Sequence, residues 1–119
     1  MLHKLLDATR YSWRGLQAAW AHEQAFRLEV YLSLLLVPAA LFVGSNLTHK
    51  LLLLLPCGLV LLMELVNSAI ESAIDRIGTE QNELSARAKD LGSAGVFVSL
   101  MIFLVLWIPS LWQFFHDMG

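Results

Sequence analysis

Apolar residues recur at threes and fours from Leu2 to Ala25, then merge into three long runs at about 28–44, 51–75 and 91–115. In the first stretch Leu2, Leu5, Leu6, Trp13, Leu16 and Trp20 share a helical period. Lys4, Asp7, Arg10, Arg14 and Gln17 lie mainly elsewhere, which predicts an amphipathic helix over 1–26. Two placements suit it: flat in the headgroup boundary, with its tryptophans in lipid, or packed on the chain's own helices. The three later runs are each long enough to cross a hydrocarbon layer roughly 30 Å thick. The pattern therefore predicts an all-α membrane protein, one domain over 1–119, with a surface helix followed by three transmembrane helices.

The second run is polar on one face only. At about 100° per residue, Glu64, Asn67, Glu71 and Asp75 fall within roughly an 80° sector, while Leu65, Val66, Ala69, Ile70 and Ala73 cover the other sides. No charge occurs from Leu51 to Met63, so Glu64 lies about 21 Å along the helix from Lys50, well inside the hydrocarbon layer. A charge at that depth costs on the order of 2.5–3.5 kcal/mol on insertion scales and usually marks a site or an ion pathway. A neutral carboxyl bonded to a neighbouring helix is the simpler alternative.

The connections add polar groups around this stripe. Glu23 and Arg27 are spaced i,i+4, as in a surface ion pair, and Glu29 follows at the edge of the first crossing. Pro38 is placed to kink that crossing, Gly44–His49 forms a short polar turn, and Pro56 with Gly58 permits distortion of the second crossing. Arg76–Lys89 is polar and predicts a loop long enough to cover a site at the membrane surface. Lys89 and Asp90 stand at the mouth of the third crossing. Interfacial anchoring and phosphate binding both suit Lys89, and the small residues Gly92, Ser93, Ala94 and Gly95 allow close helix approach. An aromatic belt is the default role for Trp107 and Trp112.

Positive charge precedes the first crossing at Lys4, Arg10, Arg14 and Arg27, and returns at Arg76, Arg87 and Lys89, against Lys50 on the opposite side. The positive-inside rule puts the N-terminus and the 76–90 loop in the cytoplasm and the C-terminus outside. A hydrophobic content of 57% and a mean hydropathy of +0.62 exceed the values of a soluble domain. A net charge of −2 offers no basic surface for nucleic acid, and the lone Cys57 has no intrachain disulfide partner. The basic, amphipathic start is unlike a signal peptide, so it is expected to be retained.

Carboxylates, Asn67 and a lysine at one interface suit Mg²⁺-assisted phosphoryl transfer. Mg²⁺ takes one or two carboxylates and completes its shell with water and phosphate, and a further carboxylate can accept a hydroxyl proton. No phosphate-binding glycine loop or protein-kinase signature is present. Movement of ions or protons by a small transporter subunit would use such a stripe as readily.

The residues Glu64-Leu65-Val66-Asn67-Ser68-Ala69-Ile70-Glu71, Asp75-Arg76-Ile77-Gly78 and Ala88-Lys89-Asp90-Leu91-Gly92-Ser93-Ala94 resemble the small bacterial integral-membrane diacylglycerol kinases. Tyr11-Ser12-Trp13-Arg14-Gly15-Leu16 and Glu23-Gln24-Ala25-Phe26-Arg27-Leu28-Glu29 match as well, so the resemblance runs in order from about Tyr11 to the end.

The resemblance implies ATP-dependent phosphorylation of diacylglycerol to phosphatidic acid in a bacterial inner membrane, by a homotrimer with active sites shared between chains. Carried over by position, Glu64 is the general base with Asn67 beside it, and Glu23 and Glu71 hold the Mg²⁺ of ATP. Tyr11, Glu80, Lys89 and Asp90 contact the nucleotide, while Ser12, Trp13, Ala25, Glu29, Ser93 and Trp107 line the lipid site. Two positions depart from the pattern. Lys4 replaces an arginine and loses its bidentate fork, and Gln81-Asn82 replaces an aromatic and histidine pair after Glu80. Undecaprenol is the alternative lipid substrate.

Overall fold

The computed structural model describes residues 1–119 as four helices without strands: α1 (Leu2–His22), α2 (Gln24–Val43), α3 (Leu47–Ile77) and α4 (Glu83–Met118). The last three are long and apolar enough to cross a membrane, and they run up, down and up beside one another. Packing is densest between α3 and α4, with α2 laid against α3. Almost the whole of α1 is uncovered within the chain. Only Ala19 is buried, and Leu2, Leu5, Leu6, Trp13 and Leu16 are exposed.

Helix lengths decide where the polar groups meet. At ~1.5 Å per residue, the 31 residues of α3 extend about 16 Å farther than the 20 residues of α2. Both start from the turn at Gly44–Asn46, so α3 passes the α1–α2 joint near Asn67 and carries Glu71 and Asp75 beyond it. The polar segment predicted as a loop over 76–89 is mostly helix. Only 78–82 lies outside α3 and α4. Asn82 caps α4, its Oδ1 accepting from Leu84 N at 2.9 Å and Ser85 N at 3.2 Å. Hydropathy registers where α4 leaves the lipid, whereas this cap sets where the helix starts.

In lipid, apolar burial drives helix association weakly, so shape and hydrogen bonds between helices carry more weight. Ala40, Val43, Leu53, Cys57 and Trp107 form the buried core, far from the acidic stripe. Trp107 donates from Nε1 to the Leu53 carbonyl at 3.0 Å and stacks on Phe103. At the end of the core, His49 Nε2 lies 2.9 Å from Ser110 Oγ, while its Nδ1 accepts from Ser45 N at 3.0 Å. That pairing puts the ring proton on Nε2. Ser110 in turn donates to Leu106 O at 2.7 Å, so this histidine cannot act as its base and the pair ties the turn to α4.

Candidate active site

The stripe on α3 rises from the buried interior into the open. Glu64 and Asn67 are each 8% exposed, Glu71 is half-buried and Asp75 exposed. Asn67 donates from Nδ2 to Glu71 Oε1 at 3.3 Å, one turn farther along. From α2, the carboxyl of Glu29 faces that of Glu64, and Glu23 and Glu71 are close enough to act on the Glu64 charge. One oxygen of Glu29 is buried without a partner.

Glu23 reaches this wall because the chain breaks there. Its backbone is extended (φ −114°, ψ 103°), ending α1 and starting α2. The anticipated Glu23–Arg27 ion pair does not form. Arg27 Nη1 instead donates to the carbonyls of Trp20 at 2.7 Å and Ala21 at 3.3 Å, satisfying the end of α1. The break leaves the Glu23 carboxylate without a basic partner, in a cleft of about 470 Å³ between α1 and α3 that Ser12, Ser68 and Ser72 also line.

A second, polar cleft of about 790 Å³ opens where α3 ends and α4 begins, lined by Asp75, Glu80, Gln81, Asn82 and Lys89 among others. Lys89 Nζ lies 2.8 Å from Asp75 Oδ1. Glu80 and Lys89 thus share one cleft, whereas Asp90 points outward from the next position of α4. Asn82 Oδ1, engaged as the α4 cap, is occupied by two backbone donors.

Of the other positions implied by the resemblance, Ser12 shares the cleft of Glu23, and the rest do not converge within one chain. Tyr11 and Trp13 are exposed on α1, with Arg14 5.8 Å above the Tyr11 ring. Ser12 donates to Ala8 O at 2.8 Å, and Ala25 and Ser93 face outward. The belt reading of Trp107 is corrected: the ring is 3% exposed and holds α4 to α3. It lies about 22 Å along α4 from Gly92, which packs against Asn67. Trp112 is exposed, as a belt residue would be.

No three His, Cys, Asp or Glu side chains gather at one point, so this chain has no all-protein metal cage. The donors fit the other mode of Mg²⁺ binding, in which one or two carboxylates share the ion with phosphate and water. Glu71 has an oxygen outside its Asn67 bond, and Glu23 has no basic partner. Sequence reasoning placed Asp75 on the stripe without assigning it a partner, and it left Ser68 and Ser72 unassigned. Their i,i+4 spacing on α3, facing the small residues Gly15, Ala18 and Ala19 of α1, was the available signal.

Comparison with known proteins gives this arrangement a lineage. The family model described as prokaryotic diacylglycerol kinase matches residues 10–111. The diacylglycerol kinase of Escherichia coli K12 is 43% identical over 112 residues, covering 94% of this chain and 92% of the relative. That of Haemophilus influenzae is 45% identical over 106 residues (89% and 90%), and that of Pseudomonas aeruginosa 42% over 110 residues (92% and 89%). With the match running through all three helix joints and the whole acidic stripe, this chain belongs to the prokaryotic diacylglycerol kinase family.

Proposed function

We propose that this membrane-embedded lipid kinase transfers the γ-phosphoryl group of ATP to the free hydroxyl of diacylglycerol, giving phosphatidic acid, at the carboxylate wall of α3. The observation that carries the assignment of the site is Glu64. It is a buried carboxyl on a helix with no other charge back to Lys50, faced by Glu29 from α2 and one turn from Asn67. A lipid hydroxyl arriving from the bilayer meets Glu64, and ATP arriving from water meets Lys89 in the polar cleft.

Glu64 takes the hydroxyl proton as the alcohol oxygen attacks the γ-phosphorus, and the bond to the β-phosphate oxygen breaks to release ADP. Lys89, held on the cleft wall by Asp75, neutralises phosphate charge, and Glu80 and Asp90 flank the nucleotide with Tyr11. Glu23 and Glu71 would hold Mg²⁺, which would supply positive charge to offset that of the phosphates. Glu29, Ser12, Trp13, Ala25 and Ser93 face the lipid. Trp107 contributes at the lipid side through the position of α4.

Lysine and arginine cluster at the end of the bundle bearing α1 and 78–82, which supports a cytoplasmic site in a bacterial inner membrane and a C-terminus on the periplasmic side. Tyr11, Trp13 and Ser93 face outward on two different helices. A site completed by a neighbouring copy in a homotrimer accounts for that.

The test is transfer of labelled phosphate from ATP to diacylglycerol and, in parallel, to undecaprenol, by purified protein in mixed micelles with Mg²⁺. Label in phosphatidic acid that vanishes in Glu64→Gln supports both substrate and base. Label confined to undecaprenyl phosphate changes the substrate. Label in neither, from folded protein, sinks the kinase reading.

A further inference from the structure

Gly92, on α4, is buried against the α3 stripe. A Cβ built there would overlap Asn67 Oδ1 at a separation real side chains do not tolerate. It would also stand 3.4 Å from Asn67 Cγ and 3.4 Å from Ile70 Cδ1. The amide orientation of Asn67 follows from its other contact. Glu71, when ionised, has only acceptors, so Nδ2 must face Glu71 and Oδ1 must face Gly92. Asn67 Oδ1 is buried and has no hydrogen-bond partner. No donor holds it, and only the space left by a missing side chain lets it stay.

We propose that Gly92 is a positioning residue for phosphoryl transfer: its bare Cα leaves the room that the observed rotamer of Asn67 needs, and Asn67 in that rotamer holds the carboxylate of Glu71 through Nδ2. The inference rests on the reading of Glu71 as a ligand of the metal bound to ATP. Asn67 can rotate only about its own side-chain bonds, because its backbone is locked in the middle of α3. A methyl group at position 92 turns Oδ1 away, and the same rotation draws Nδ2 from Glu71. Gly95 is the natural control. A Cβ there meets only Met63 Cε, the free end of a flexible chain that can swing aside.

The full-length protein in diacylglycerol mixed micelles tests this. For Gly92→Ala the expected result is a fall in kcat of at least tenfold and a rise in the Mg²⁺ half-saturation of at least threefold, with the diacylglycerol KM within twofold. Gly95→Ala should stay within twofold of the wild type in all three. Asn67→Ser removes the atom that clashes, so adding Gly92→Ala to it should cost no further activity. Multiplying losses in the double variant, or wild-type kinetics in Gly92→Ala, would overturn the proposal. If Gly92→Ala does not fold, the double variant should fold as well as Asn67→Ser, and its failure to do so would also overturn it.

A readout independent of activity is the Asn67 side-chain amide resonance in asparagine-labelled protein, with Asn46 and Asn82 as references, the chain having three asparagines. It should move in Gly92→Ala and hold in Gly95→Ala, and an unmoved signal in Gly92→Ala overturns the contact. A wild-type protein that phosphorylates no lipid would remove the kinase reading, and this resonance would still decide whether Gly92 sets Asn67.

Discussion

Lys89 Nζ lies 2.8 Å from Asp75 Oδ1, joining the end of α3 to the start of α4 across the polar cleft. Both side chains are about half exposed, and an exposed pair of this kind adds little to stability. Its consequence is for position: the pair holds a flexible lysine on the cleft wall. Asp75→Asn should therefore leave the melting midpoint nearly unchanged and raise the KM for ATP about threefold to tenfold, equivalent to roughly 0.7–1.4 kcal/mol. A fall in KM would mean that Asp75 competes with phosphate for Lys89.

Glu64→Gln keeps the shape of a buried side chain and removes its capacity to take a proton. A general base is worth about 10²–10⁴-fold, so kcat should drop by that factor while ATP binding, followed by a fluorescent nucleotide, is retained. Turnover within tenfold of the wild type would show that another group, with Glu29 facing it from α2 as the first candidate, accepts the proton.

Glu71→Gln separates charge from geometry. Glutamine Oε1 can still accept from Asn67 Nδ2, so the local hydrogen bond survives and only the carboxylate is lost. The Mg²⁺ titration should shift to higher concentration by about tenfold, a change of about 1.4 kcal/mol. An unshifted curve would leave Glu71 as a structural partner of Asn67 and no more.

Arg27→Met removes the donor that satisfies the Trp20 and Ala21 carbonyls at the end of α1, while keeping an unbranched chain. A charge-assisted bond of this type is worth about 1.5–3 kcal/mol when sheltered, and less here because Arg27 is only half-buried. Faster hydrogen exchange at residues 19–23 and a loss of activity through a displaced Glu23 are expected. Exchange equal to that of the wild type would show that α1 ends without help from Arg27.

Trp107→Phe retains most of the buried ring and deletes the bond to the Leu53 carbonyl. The α3–α4 pair should lose about 0.5–2 kcal/mol in a denaturation assay, with the diacylglycerol KM unchanged. A raised KM at wild-type stability would assign Trp107 to the lipid directly.

The fold and the acidic stripe were legible in the sequence because both follow from periodicity. Three apolar runs of crossing length, one amphipathic run, and polar residues spaced three and four apart each report local helix geometry, and for the crossings the bilayer demands helices. The residue series from Tyr11 onward carried the family as well. What lay outside that reach depends on atoms from distant parts of the chain. Arg27 has two acceptors in range, the Glu23 carboxylate and the α1 carbonyls, and the angle of the α1–α2 break settles which it takes. Trp107 has the composition of a belt residue, and only the register of α4 on α3 turns it inward to Leu53. Local sequence likewise gives Gly92 as one small residue in a row of four. The antiparallel contact between α3 and α4 makes it the one whose missing side chain leaves room for Asn67, because close packing is decided by what faces a residue across the interface.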